Sequence, residues 1–284
     1  MILNMNSIYN LLRLKLRKQE EQKRFNFLKA LEGSYRQKDF SIQDPLGFQH
    51  HPYVKKEQLK WVEKMGVGSY HSRFQVEHLE LQNALVHRFT PKAFFSQLSI
   101  ADICDEINKW IPLKQKEHLT SLFEEDPLGL LPLGFETHLK APLVRTCLKP
   151  FAHFYLVEDP LHTLLYENTP QFLLPPYLLA AMHTCLDLLP TMQKERKDVL
   201  EKTLFIFDKI KDLGFDLTLQ KCVVHINTSK KQTYKKELEE LGWILQESSH
   251  GLALNIRIDH EESTLFEFVR DMKKIQSKKT AVIC

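Results

Sequence analysis

The side chains able to do chemistry in this chain come in a few small groups. His50 stands beside His51, and His71 and His78 lie a short way further on, a set that invites a metal reading. No HExxH helix and no Cys/His knuckle spacing accompanies them, so no metal site is expected. The run Gly66-Val67-Gly68-Ser69-Tyr70-His71 begins like a dinucleotide fingerprint. It has histidine where the third glycine belongs and follows a helical pattern instead of a strand, which excludes a Rossmann cradle. Neither a GxxxxGK[ST] phosphate loop nor a GxSxG nucleophile elbow occurs. The basic tail over 273–279 reads as the solvated end of an exposed helix.

The elements that must position such groups are those of a globular chain. Its 284 residues suggest one large or two medium domains. Hydrophobic residues make up 43% and charged residues 26%, which excludes disorder and fibrous repeats. The formal net charge of +3 gives no general field for nucleic acid or membrane. Nine glycines is about 3% of the chain against a usual share of about 7%, so glycine-built phosphate cups should be scarce. The five cysteines are never closer than 37 positions, which implies reduced thiols and a cytoplasmic setting. The most apolar stretch, 172–190, contains Pro175, Pro176, His183 and Asp187, so no membrane span is expected.

Apolar spacing predicts an amphipathic helix from Ile8 to Leu31, a turn at Asp44-Pro45-Leu46-Gly47, helices over 55–64 and 76–87, a brief strand at 93–95 and a helix carrying Ile100, Ile103 and Ile107. From 113 to 166 prolines are frequent and periodicity is poor. Helices are then expected up to Pro190 and over 192–213, a strand over 217–226, a helix over 231–241, strands over 243–246 and 252–258, and a helix over 262–275. That closing β-α-β-β-α run reads as a small α/β domain. The expected division is an arm and helix over 1–50, a larger domain over 51–170 and a smaller one over 171–284.

Several of these segments resemble, in order, the motifs of one enzyme family. They are Asp44-Pro45-Leu46-Gly47 with His51-Pro52, Gly66 to Arg73, His78-Leu79-Glu80 with Leu85, Thr146-Cys147-Leu148-Lys149-Pro150-Phe151-Ala152, Tyr166-Glu167-Asn168-Thr169-Pro170 and Asn255-Ile256-Arg257-Ile258. The text is similar to N-D-Y-L-G-L, H-P, G-x-G-S-G-G-S-R, H-x-x-L-E-x-x-L, T-F-G-K-G-F-G, Y-S-T-x-x-P and R-L-R-L of the α-oxoamine synthases, with 8-amino-7-oxononanoate synthase of biotin synthesis as the nearest pattern. The resemblance spans both ends of the chain, with a gap after about Ser96.

What the resemblance implies is a fold-type I pyridoxal-phosphate transferase of the α/β class, with an abbreviated large domain and a C-terminal α/β domain. Its members condense an amino acid with an acyl-CoA and release carbon dioxide, as dimers. On this reading Lys149 is the Schiff-base lysine. Glu125 stands at the pyridine-nitrogen carboxylate, Thr146, Thr169 and Ser69 contact the cofactor, and Arg24 meets the acyl chain. The chain departs from the pattern at Leu148, Pro150 and Ala152, where the family keeps glycine, and at Leu128, where it keeps histidine. Leucine donates no hydrogen bond to a phenolic oxygen, and Asp126 replaces Glu125 only if the register slips by one. Two functions follow. One is a pyridoxal-phosphate acyltransferase of the biotin-synthesis type. The other is an inactive family member that pairs, as homodimer or heterodimer, with a full-length paralogue.

Overall fold

The computed structural model describes residues 37–66, 76–89, 92–96, 102–103, 105, 107, 109, 123–126, 129–130, 133–134, 141, 143–168, 173–248 and 251–281. Residues 37–284 belong to one compact unit. Proline opens two of its helices. Pro52 starts α1 (Pro52–Met65), which ends at Gly66 with φ 82°, and Pro175 precedes α4 (Pro176–Leu188). In both the fixed φ suits a first turn whose N–H has no intrahelical acceptor. Leu179, Ala180, Ala181, Met182 and Cys185 are all buried, so α4 is a core helix, with α1 packed along it. α2 (Val76–Val86) adds a third helix to this layer.

The layer covers one face of a mixed sheet. Its strands are β1 (Lys92–Phe94), β2 (Phe123–Glu125), β3 (Leu143–Leu148) and β4 (Ala152–Val157), in the order β1-β4-β3-β2. β2 runs parallel to β3, and the other pairs are antiparallel. Side chains alternate across a strand. Val144, Leu148, Phe154 and Leu156 therefore join the helical core, while Leu143, Tyr155 and Val157 meet Phe94, Ile103, Ile107 and Leu165 on the other face. Leu165 lies on α3 (Asp159–Asn168). Burial on both faces explains why the sequence showed no alternation here: within β3 only Arg145 is exposed, and within β4 only His153.

The second sheet is antiparallel, ordered β5-β6-β8-β7, from β5 (Leu217–Gln220), β6 (Val223–Asn227), β7 (Gln246–Glu247) and β8 (Gly251–Asn255). Helices α5 (Gln193–Lys211), α6 (Lys231–Glu240) and α7 (Glu262–Ala281) accompany it. The strand expected over 217–226 is a hairpin, turned at Lys221 and Cys222 with Lys221 at φ 49°. The strand expected over 243–246 shortens because Ile244 pairs with the preceding arm. Phe40 N–H donates to the Ile244 carbonyl at 2.8 Å, and Ile244 N–H to the Lys38 carbonyl at 3.0 Å. Phe40 then fills the core beside Trp243 and Phe268, with centroids 5.7 and 5.0 Å away. No helix among the described residues is long and apolar enough to cross a membrane. The helix expected from Ile8 to Leu31 lies outside the described residues.

Candidate functional site

β3 and the turn after it carry the residues of interest. β2 pairs with β3 in register up to Glu125 opposite Arg145, and the next backbone N–H, of Asp126, still donates to the Arg145 carbonyl at 2.7 Å. Asp126 is thereby set beside Thr146. The Thr146 hydroxyl donates to Asp126 Oδ2 at 2.6 Å, and the Leu130 N–H reaches Oδ1 at 3.3 Å. Thr146 is 1% and Asp126 6% exposed. A buried carboxylate is costly without donors, and these two contribute its satisfaction.

The chain then turns at Gly129, whose φ is +63°. A Cβ there would lie 2.2 Å from the Cys147 carbonyl oxygen and 2.5 Å from Cys147 Sγ. Both the left-handed backbone and the close approach demand glycine. Gly129 thus seals the segment after β2 onto β3.

Lys149 sits in the turn between β3 and β4, joined to Pro150 by a cis peptide bond. Its side chain is half-buried, and Nζ donates to Gln43 Oε1 on the arm. Among the described residues no carboxylate forms an ion pair with it. Cys147 is its neighbour on β3. Burial pushes that thiol up to about 11, against the weaker pull of the Lys149 charge. His153, opposite Cys147 on β4, is held below the usual imidazole range by burial first and by the Lys149 and Arg145 charges next. The group around Lys149 is therefore a neutral thiol, an imidazole biased toward neutrality and a carboxamide.

The structure brings Lys149 and Thr146 together on one strand and its turn, and it puts the backbone of Glu125 on the neighbouring strand. The side chain of Glu125 lies outside the described residues, as do Ser69, Thr169 and Arg24. Of the sequence's histidine pairs, His71 lies outside the described residues. His78 is buried, with Nε2 2.6 Å from the Leu174 carbonyl, a structural bond, and no group of three potential ligands gathers among the described residues. Arg257 is also structural. It is 1% exposed and bonds Asp259 at 2.8 Å and the Asp39 carbonyl. Asp126, weighed in the sequence only as a stand-in for Glu125, takes its place beside Thr146 from the coordinates, and Gln43 emerges only there. The cue for Asp126 was the acidic run before Gly129. Gln43 left none, since its contact spans 106 positions.

No protein-family model and no curated protein matches this sequence. Solved structures do. Serine palmitoyltransferase of Sphingomonas wittichii superposes with a TM-score of 0.62 at 12% identity, over 86% of this chain and 88% of its own. 8-Amino-7-oxononanoate synthase of Francisella tularensis gives 0.61 at 14% identity, over 85% and 98%. This chain has the α-oxoamine synthase fold. A third structure with that fold, a serine palmitoyltransferase variant from S. paucimobilis with a bound PLP–myriocin aldimine, gives 0.64 at 12%, over 97% and 99%. Identity this low carries shape and leaves chemistry to the residues.

Proposed function

We propose that the chain is a pyridoxal-phosphate acyltransferase of the α-oxoamine synthase kind, joining an amino acid to an acyl-CoA thioester with loss of carbon dioxide, and that Lys149 is its reacting lysine. The observation that carries this is the setting of Lys149: a half-buried primary amine in a strand turn of this fold, bonded to a neutral amide and free of any carboxylate ion pair among the described residues. A primary amine is the group that attacks an aldehyde carbon to form a Schiff base. Among the described residues Lys149, a half-buried primary amine, fits the cofactor in kind. Lys149 would hold its aldehyde carbon covalently, Glu125 would face the pyridine nitrogen, and Thr146, Thr169 and Ser69 would contact it. When bound, the cofactor supplies an electron sink for the carbanion at the amino acid's α-carbon.

The chain's own residues do the rest. Thr146 and the Leu130 N–H hold Asp126 and with it the end of β2, which fixes where Glu125 starts. Lys149 would also be the base that moves the proton at the amino acid's α-carbon. Arg24 would read the far end of the acyl chain, and an 8-amino-7-oxononanoate-type substrate is the finer form of this reading. The chain acts in the cytoplasm as a homodimer or beside a longer paralogue.

A second reading, the inactive partner of such a paralogue, is favoured by Leu148, which is buried in the core where the family keeps glycine, and by the closure of Gly129 on Cys147. One experiment separates them. The protein is incubated with pyridoxal phosphate, reduced with borohydride and digested. A pyridoxyl group on the Lys149 peptide, with a visible absorbance band lost in Lys149→Ala, supports the enzyme. A colourless protein with no modified Lys149 overturns it.

A further inference from the structure

Lys149 is held by the far end of a chain of amides that begins in the second sheet. Asn255, on β8 and 5% exposed, donates from Nδ2 to the Phe40 carbonyl at 2.9 Å and to Gln246 Oε1 at 3.1 Å. Gln43 Nε2 donates to the same Gln246 oxygen at 2.5 Å. Gln43 Oε1 then accepts from Lys149 Nζ.

A carboxamide accepts at one end and donates at the other, so this chain has a direction. The Phe40 carbonyl is fixed in the backbone and can only accept, so the NH2 of Asn255 must face it. The remaining N–H of that group calls for the oxygen of Gln246, and that oxygen calls for the NH2 of Gln43. The oxygen of Gln43 is what remains for the amine. Turning any one amide over would put oxygen against oxygen or nitrogen against nitrogen in a half-buried place, where an unmade bond is costly.

We infer that Gln43 is a positioning residue for Lys149, and that Gln246 and Asn255 set its amide so that an acceptor always faces the amine. This rests on Lys149 being the reacting lysine. Cys147 and His153 both feel the Lys149 charge, as they do that of Arg145, and Gln43 meets the amine from the arm. The bond restrains the free amine at one place until a reactant displaces the amide. It also ties the lysine's freedom to the second sheet, through residues that never touch it.

Reductive methylation with formaldehyde and cyanoborohydride tests this without cofactor, with Lys55 and Lys56 on the exposed face of α1 as internal references. The rate at Lys149 is read by peptide mass spectrometry. Gln43→Leu removes the acceptor, and the Lys149 rate relative to the references should rise about three- to tenfold, the range expected for one lost hydrogen bond. Gln246→Leu leaves Gln43 in place but frees it to turn, and the rate should rise in the same direction. Gln43→Asn keeps the amide one methylene short and should fall between Gln43→Leu and the parent. Unchanged relative rates in both leucine variants overturn the inference. So does an increase confined to Gln43→Leu, because the relay requires Gln246. If the relay effect holds while pyridoxal phosphate fails to modify Lys149, the positioning stands and the acyltransferase reading falls.

Discussion

At the residue scale the site turns on two oxygens that face the right donors. Asp126 and Thr146 make one buried bond of 2.6 Å. Thr146→Val keeps the shape, deletes the donor and leaves a buried carboxylate short of a partner, which costs about 1–3 kcal/mol. Urea denaturation should show that loss as a lower midpoint with an unchanged slope. Because the same bond sets the end of β2, pyridoxal-phosphate capture at Lys149 should weaken as well. Glu125→Gln keeps that bond intact. Loss of the visible band in Glu125→Gln with unchanged urea stability assigns the pyridine nitrogen to Glu125, and a retained band removes that role.

At the scale of elements, the segment between β2 and β3 is pinned at Gly129, and the pin tolerates no side chain. Gly129→Ala adds left-handed strain of about 1 kcal/mol and a backbone clash at 2.2 Å, and should cost about 2–5 kcal/mol in all. A thermal melt displaced by less than a few degrees would contradict that packing. Elements also show how much of this molecule could be read in advance. The α1 and α4 helices were legible because proline marks their first turns and apolar spacing their buried faces. The small sheet was legible in outline, yet 217–226 looked like one strand because the apolar positions carry through Lys221 and Cys222 without a glycine to mark the turn. β3 and β4 were illegible by period, since both faces are buried. Only the T-x-x-K pattern singled out Lys149 on their turn. Gln43 was out of reach, because a bond across 106 positions is made by the fold and leaves no local spacing.

At the scale of the whole molecule, the arm that brings Gln43 to Lys149 is itself tied to the second sheet beneath His260. His260 is 1% exposed, lies edge-on to Phe40 with centroids 4.6 Å apart and accepts the Arg257 N–H on Nδ1 at 3.2 Å. Burial, then the Arg257 charge, drives this imidazole down to about 3, against the opposing pull of Asp259 and of a bond to the Asp39 backbone. The folded state therefore binds the proton less readily than the unfolded chain, whose histidine titrates near 6.5. Stability from this group is complete above that value. As pH falls below it the unfolded state takes up a proton the folded state refuses, and stability declines by about 1.4 kcal/mol per pH unit until the folded value is reached. Asp44 works in the opposite sense, since burial raises its carboxyl, so the parent protein alone does not isolate the histidine. The difference between parent and His260→Gln does. Urea unfolding at pH 7 and pH 4.5 should show the parent losing about 2–3 kcal/mol more than the variant over that interval. Equal losses would mean that the imidazole under the arm takes up its proton without unfolding.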